Sequence, residues 1–176
     1  MKKILVVVDM QNDFVNGALG TKEAEGIVDY VVSKIKDFDG EIIATMDTHG
    51  QNYLETAEGK KLPAPHCIKM THGWLLNEKV FDALSGKNYK IIEKKTFGAK
   101  KLVKELHRKK YKEAMEIEFV GLCTDICVVS NVLLAKAYFP EAKISVDAKG
   151  CAGVTPQSHQ AALETMKMCQ IDVMEA

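Results

Sequence analysis

Near its amino end the sequence reads Ile4-Leu5-Val6-Val7-Val8-Asp9, an unbroken aliphatic run that stops at a carboxylate. A strand that is apolar on both faces is typical of the centre of a parallel sheet, because helices cover both sides of such a sheet. The run is too short for the apolar core of a signal peptide, and no small-residue cleavage site follows it. The sequence therefore predicts a buried central strand that ends at Asp9.

Further aliphatic runs follow this strand and alternate with amphipathic segments. The other predicted strands are residues 41–46, 89–93, 116–122, 143–147 and 171–174. The predicted helices are residues 23–38, 98–109, 125–139 and 156–168, with a short one near 75–84. This alternation predicts one α/β domain over residues 1–176, a Rossmann-like three-layer sandwich around a mostly parallel sheet of about six strands.

The overall composition excludes several classes of partner. Basic and acidic residues balance at 24 each, so no net charge favours nucleic acid or an anionic membrane. No apolar stretch approaches the roughly 20 residues of a membrane span. The five cysteines are an odd number without a disulfide-like spacing, which favours reduced thiols in a cytoplasmic protein. We therefore expect neither a nucleic acid nor a membrane partner.

Polar residues stand directly after the predicted strands, where parallel α/β sheets collect their active sites. They are Asp9 after the first strand, Asp47 and His49 after the second, Lys94 after the third, and the turn from Cys123 to Cys127 after the fourth. Because the carboxyl ends of parallel strands share one edge of the sheet, we expect these side chains to converge.

Cys127 lies where the fourth predicted strand gives way to a helix. Free N–H groups in the first turn of a helix stabilise thiolate, lower the thiol pKa and can bind an oxyanion. The alternative is a small buried side chain without a chemical role. That alternative applies to Cys67, Cys151 and Cys169, which lack this position, while Cys123 lies in the same turn as Cys127.

A cysteine nucleophile needs a base and an orienting group. His107 and His159 fall on predicted helices, away from the strand ends, which disfavours a Cys–His pair. Asp9 and Lys94 remain. A carboxylate can take the thiol proton and return it to a leaving amine, and a lysine can stabilise negative charge.

Three segments of the sequence resemble the signatures of the isochorismatase-like cysteine hydrolases. They are Asp9-Met10-Gln11-Asn12-Asp13-Phe14, then Glu93-Lys94 ahead of Thr96-Phe97-Gly98-Ala99, and Gly121-Leu122-Cys123-Thr124-Asp125-Ile126-Cys127-Val128, with a continuation through Asp147, residues 151–156 and His159. The resemblance implies a triad of Asp9, Lys94 and Cys127. It favours Lys94 over the adjacent Lys95 because the family's lysine lies three residues before an aromatic residue.

The same resemblance implies details of the turn and of the pocket. The peptide bond between Leu122 and Cys123 should be cis, and the N–H groups of Cys123 and Cys127 should form an oxyanion hole. Phe14 and Trp74 should supply the aromatic side chains of the substrate pocket.

Asp47 and His49, two residues apart at a strand end, can both reach one metal ion, with His66 as a third ligand. Within the family this set resembles the metal site of the nicotinamidase branch, where zinc, iron or manganese anchors a pyridine nitrogen. A glutamate between the two histidines is a further ligand in some members. Glu58 best matches that position and would help to neutralise a divalent ion, with Glu55 and, outside that interval, His72 as alternatives.

The resemblance implies a cysteine-dependent amidohydrolase that forms a thioester intermediate. The leading reaction is that of a nicotinamidase in NAD salvage, nicotinamide and water to nicotinate and ammonia, with zinc as the first choice of metal, iron or manganese as alternatives, and a homo-oligomeric assembly. A different small amide, a carbamoyl compound or a vinyl ether is the alternative substrate. A non-catalytic binding or scaffold protein would be expected to lack a triad residue, and none is lacking.

Overall fold

The structure, a computed structural model, describes residues 2–108 and 115–175 and is built around one six-stranded sheet. Its strands are β1 Lys2–Val8, β2 Glu41–Asp47, β3 Tyr89–Lys94, β4 Met115–Leu122, β5 Lys143–Ala152 and β6 Asp172–Met174. They are ordered β3-β2-β1-β4-β5-β6, and every pair of neighbours is parallel. The predicted α/β architecture is confirmed.

Helices cover both faces of this sheet. They are α1 Asn12–Val15, α2 Lys22–Gly26, α3 Val28–Asp37, α4 Ala57–Lys61, α5 Glu78–Ser85, α6 Lys100–Arg108, α7 Val129–Tyr138 and α8 Pro156–Met168, with a 3-10 turn at Tyr53–Glu55 and a π-helical turn at Thr124–Val128. Leu5 and Val7 of β1 pack into the core that includes α1, α2, α3 and α5. Ile4 and Val6 pack into the core of α6, α7 and α8. Burial on both faces explains the unbroken aliphatic run.

Most predicted ends shift by one to three residues, and three elements differ from the prediction in a larger way. The helix predicted over 23–38 is two helices, because α2 ends at Gly26, and glycine weakens a helix interior. The helix predicted over 125–139 begins instead as the π-helical turn. The strand predicted over 143–147 continues to Ala152, because β4 and β5 resume pairing after a register shift. The predicted end of a helix at Lys109 lies outside the described residues.

The register of the strands places the carboxyl ends of the central ones side by side. Val8 pairs with Gly121, and Asp47 pairs with Lys94. The residues that follow β1 and β4 therefore emerge beside the ends of β2 and β3. In the described part of the chain, no helix combines the length and the apolar character that crossing a membrane requires.

Candidate active site

Asp9 follows β1 in a left-handed backbone conformation, with φ of 48°. Its carboxylate is completely buried, and Oδ1 accepts a hydrogen bond of 2.6 Å from the Thr45 hydroxyl of β2. Its other oxygen, Oδ2, lies 2.6 Å from the Lys94 ammonium nitrogen. Burial raises the pKa of Asp9 above its usual value, although the Lys94 charge opposes the shift. The carboxyl group is therefore suited to accept a proton during a reaction.

Lys94 is the centre of the group. Besides Asp9, its ammonium lies 3.2 Å from Asp47 Oδ1 and 3.3 Å from Cys127 Sγ. Burial alone would lower the pKa of Lys94, but the negative charges around it outweigh burial and raise that pKa. Lys94 therefore stays charged. Lys95, the alternative in the sequence, is exposed and lines the adjoining cavity instead of joining these contacts.

Cys127 lies in the π-helical turn after β4 and is 4% exposed. Burial, with the Asp9 charge, raises the pKa of its thiol well above the usual value, and Lys94 opposes the shift. The expectation of a lowered thiol pKa is wrong, because burial and a neighbouring carboxylate raise the pKa more than the Lys94 charge lowers it. A neutral resting thiol needs a base. The Leu122–Cys123 peptide bond is cis, as the resemblance implied.

Gln11 fixes the position of Asp47 through hydrogen bonds to the Asp47 backbone. Its side-chain amide donates to the Asp47 carbonyl at 2.8 Å and to the Trp74 carbonyl at 2.8 Å. Its amide oxygen accepts from the Asp47 N–H at 2.7 Å. Sequence reasoning missed this role, as it missed that of Thr45. Gln11 lies in the first signature segment, but Thr45 lies inside an aliphatic run that gives no sign of it.

Four side chains form a group that can hold a metal ion. They are Asp47, His49, Glu58 and His66, whose ligand atoms all lie within 4.8 Å of one another. The closest pair is His49 Nε2 and Asp47 Oδ2 at 2.9 Å, and three further pairs are each 3.7 Å apart. Ligands about 2.1 Å from a zinc ion at tetrahedral angles would be about 3.4 Å apart. The donor set and its spacing therefore fit a divalent ion.

The environment of these ligands agrees with that fit. The Ala64 carbonyl lies 2.8 Å from His66 Nδ1. Since a carbonyl only accepts, Nδ1 is the donor, and Nε2 is left with a free electron pair toward the group. Although burial would raise the pKa of Asp47, the neighbouring imidazoles of His49 and His66 and the Lys94 charge hold it below its usual range. Asp47 is therefore ionised, as a metal ligand must be.

The other sequence candidates for the metal lie elsewhere. Glu55 belongs to the 3-10 turn and is not a member of the group, whereas Glu58 in α4 is. His72 is exposed, and its Nε2 lies 3.5 Å from the side-chain nitrogen of Asn12. Spacing along the chain favoured Glu58 without excluding Glu55 or His72, and the structure places Glu58 of α4 in the group.

One cavity of about 860 Å³ joins the metal-binding group to the thiol. Its lining includes all four metal-binding side chains, both Cys123 and Cys127, and the apolar side chains Phe14, Leu62, Phe97 and Ile126. Trp74 is not among the lining residues. Its indole N–H instead donates to the hydroxyl of Thr48, a lining residue, at 2.9 Å. A small molecule in this cavity can contact both the thiol and the metal-binding group.

Comparisons with known proteins find relatives that match almost the whole chain. A model of the isochorismatase domain matches residues 3–176. The nicotinamidase/pyrazinamidase of Mycobacterium tuberculosis is 26% identical over 186 residues, which cover 98% of this chain and 98% of that protein. The crystal structure of a nicotinamidase/pyrazinamidase from Bacillus subtilis is similar with a TM-score of 0.84 and 29% identity, over 99% of this chain and 100% of the other. The structure of a Pyrococcus horikoshii pyrazinamidase in complex with zinc has a TM-score of 0.79 and 25% identity, over 100% of both chains.

Proposed function

This chain belongs to the isochorismatase family, and from that premise we propose that it is a cysteine amidohydrolase that converts nicotinamide and water into nicotinate and ammonia. The observation that carries the proposal is the contact of Lys94 with both Asp9 and Cys127, at a cavity that also contains the metal-binding group. Nicotinamidases and pyrazinamidases among the relatives support an amide as the substrate.

In the first half of the reaction, Asp9 takes the proton of the Cys127 thiol as sulfur attacks the carboxamide carbon. The π electrons of the carbonyl bond move onto its oxygen, and the N–H groups of Cys123 and Cys127 would hold the resulting oxyanion. When the intermediate collapses, the C–N bond breaks and Asp9 gives its proton to the leaving nitrogen, so that ammonia departs. A thioester on Cys127 remains.

In the second half, water is the nucleophile and the Cys127 sulfur is the leaving group. Asp9 takes a proton from water, whose oxygen attacks the thioester carbon. Collapse of that intermediate breaks the C–S bond, and the proton on Asp9 returns to the sulfur. Nicotinic acid leaves and ionises in solution. Lys94 keeps its charge throughout, because its pKa is raised, and it stabilises each negative charge that develops on Asp9 or Cys127.

Asp47, His49, Glu58 and His66 are the residues that would hold the ion, with zinc as the first choice and iron or manganese as alternatives. The bound ion would supply a Lewis acid for the ring nitrogen of the substrate. The zinc complex of the Pyrococcus horikoshii relative supports that choice. Phe14 lines the same cavity and would pack against the ring. Trp74 would not contact the substrate but would hold the cavity residue Thr48 by its hydrogen bond.

The family resemblance also supports a proposal about the pathway, the location and the assembly of the protein. We propose that the reaction belongs to cytoplasmic NAD salvage and that one domain over residues 1–176 performs it in a homo-oligomer. Light scattering on the purified protein tests the last point, since a monomeric mass at working concentration would contradict it.

The first experiment is ammonia release from nicotinamide by the wild type and by Cys127→Ala, each with its metal content determined. Cys169→Ala is the matched control, because Cys169 is exposed and lies outside the cavity. We expect release by the wild type and the control, its loss with Cys127→Ala, and its loss when a chelator removes the metal. A folded, metal-loaded wild type that releases no ammonia would exclude nicotinamide and direct the search to a panel of other small amides and carbamoyl compounds.

A further inference from the structure

A fully buried asparagine connects the π-helical turn that contains Cys127 to the loop that follows β3. Asn131 lies in α7, one helical turn after Cys127. Its side-chain nitrogen donates to the Cys127 carbonyl at 2.8 Å and to the Phe97 carbonyl at 3.1 Å. Its side-chain oxygen accepts from the Ala99 N–H at 2.8 Å. One amide group therefore holds two segments of the site together.

The three partners determine the orientation and the type of this side chain. Two are carbonyls, which only accept, and the third is an N–H group, which only donates. The NH₂ of Asn131 must therefore face Cys127 and Phe97, with its oxygen toward Ala99. A carboxylate of the same size lacks both donors, and a leucine of similar size lacks all three functions. The site requires an amide at this position.

The loop held in this way forms part of the cavity wall. Phe97 lines the cavity, and residues 95–99 connect Lys94 at the end of β3 to α6. The loop also lies close to α7, because a Cβ on Gly98 would be 3.5 Å from both Leu134 Cδ2 and the Ser130 carbonyl oxygen. The bonds of Asn131 thus set the position of the Phe97 wall relative to the Cys127 backbone.

We propose that Asn131 is a positioning residue that aligns the Cys127 thiol with the Phe97 wall of the substrate cavity. It acts through the Cys127 and Phe97 carbonyls and touches no reacting atom. The effect on turnover rests on the proposed amidohydrolase function. The contacts themselves do not.

The main test compares Asn131→Asp with the wild type, using nicotinamide as substrate. We expect kcat/KM to fall about 100-fold at pH 8, the loss that follows when reacting groups are misplaced by about 1 Å. The ratio of variant to wild type should rise as the pH is lowered, because a protonated carboxyl regains one donor. Asn77→Asp is the matched control: Asn77 caps α5 through its side-chain oxygen, which an aspartate also supplies. The control should keep the wild-type kcat/KM.

A double-mutant cycle separates positioning from a loss of stability. In the wild-type background, Phe97→Ala should raise KM about 10-fold by removing an apolar wall. In the Asn131→Asp background the same change should raise KM less than about 2-fold, because the wall is already displaced. Additive effects of the two substitutions would overturn the proposal.

Amide hydrogen exchange at Ala99 supplies a test without any substrate. We expect protection of this amide in the wild type and in Asn131→Asp, which keeps the acceptor, and fast exchange in Asn131→Leu, which has none. Fast exchange in the folded wild type would overturn the proposal even if no variant folds. So would an Asn131→Asp variant with wild-type kcat/KM. If the wild type itself releases no ammonia from nicotinamide, the proposed function fails, while the exchange comparison still decides whether these contacts exist.

Discussion

The ammonium nitrogen of Lys94 lies 3.2 Å from Oδ1 of Asp47, so the proposed catalytic group of Asp9, Lys94 and Cys127 meets the candidate metal-binding group at one hydrogen bond. The other oxygen of Asp47, Oδ2, lies 2.9 Å from His49 Nε2. The two oxygens of a single carboxylate thus face two different sites. A change in the charge of Asp47 therefore acts on the metal-binding group and, through Lys94, on Cys127.

Asp47→Asn and Glu58→Gln should consequently differ, although each removes the charge of one metal-binding carboxylate. We expect both to weaken metal binding at least as much as the loss of an outer-shell partner does, about 10- to 100-fold, measured by metal retention during dialysis. Excess metal should restore most of the activity of Glu58→Gln. With excess metal, kcat of Asp47→Asn should stay about 10-fold or more below wild type, because the hydrogen bond between Lys94 and residue 47 is weaker without the carboxylate charge. Equal recovery of the two variants would contradict the coupling.

Lys94→Met and Lys95→Met compare the roles of two adjacent lysines, which the residues alone do not distinguish. Loss of the Lys94 charge leaves the Asp9 carboxylate buried without its partner, so we expect about 3 kcal/mol less free energy of unfolding and no turnover. The exposed Lys95 should change stability by no more than about 0.5 kcal/mol. Urea unfolding followed by circular dichroism, with ammonia release, makes the comparison. Stable, active Lys94→Met protein would contradict the assigned role.

The strand ends could be predicted because the geometry of a parallel sheet is general. An aliphatic run that stops at Asp9 and another that stops near Lys94 must bring those residues to the same edge. Cys127 follows from the same rule. What the rule cannot supply is the thiol's electrostatic surroundings, since burial and the nearby Asp9 depend on the packed fold, and the predicted direction of its pKa shift was wrong.

Residues that act across the fold give little local signal. Thr45 lies in an aliphatic run, and its bond to Asp9 spans 36 positions of the sequence. Asn131 lies on a helix among residues that read as core, and its partners at Phe97 and Ala99 are fixed only when α7 packs against the loop after β3. Glu58 was favoured over Glu55 by spacing alone, and α4 provides the physical reason.

Gly121→Ala and Gly26→Ala test how closely the end of β4 approaches β1. A Cβ on Gly121 would lie 2.1 Å from the Val8 carbonyl oxygen, and its φ of +120° disfavours any other residue. Each effect costs about 1–3 kcal/mol, so we expect severe destabilisation in thermal or urea unfolding. A Cβ on Gly26 meets no atom within 4 Å, and alanine there should add about 0.5–1 kcal/mol. A Gly121→Ala protein of wild-type stability would contradict this packing.

Asp9→Asn should abolish turnover and yet make Cys127 more reactive toward iodoacetamide at neutral pH. Burial is the main cause of the raised pKa of this thiol, the Asp9 charge adds to it, and Lys94 opposes it. With the Asp9 charge removed, the Lys94 ammonium is free to stabilise a thiolate, so the pKa falls and the fraction of thiolate at pH 7 rises. The pH dependence of alkylation should therefore shift to lower pH in the variant, while ammonia release is lost for want of a base.

Mass spectrometry of the peptides measures this reactivity, because each of the five cysteines is followed separately. The exposed Cys169 is an internal reference whose alkylation rate should be the same in both proteins. In the wild type, kcat/KM should decline on the acid side at a pH above the ordinary value of about 4 for an aspartate, since burial raises the pKa of Asp9 and protonation removes the base. If Cys127 of Asp9→Asn reacts more slowly than in the wild type at pH 7, then the Asp9 charge does not hold the thiol in its protonated form, and another group must be sought as the base.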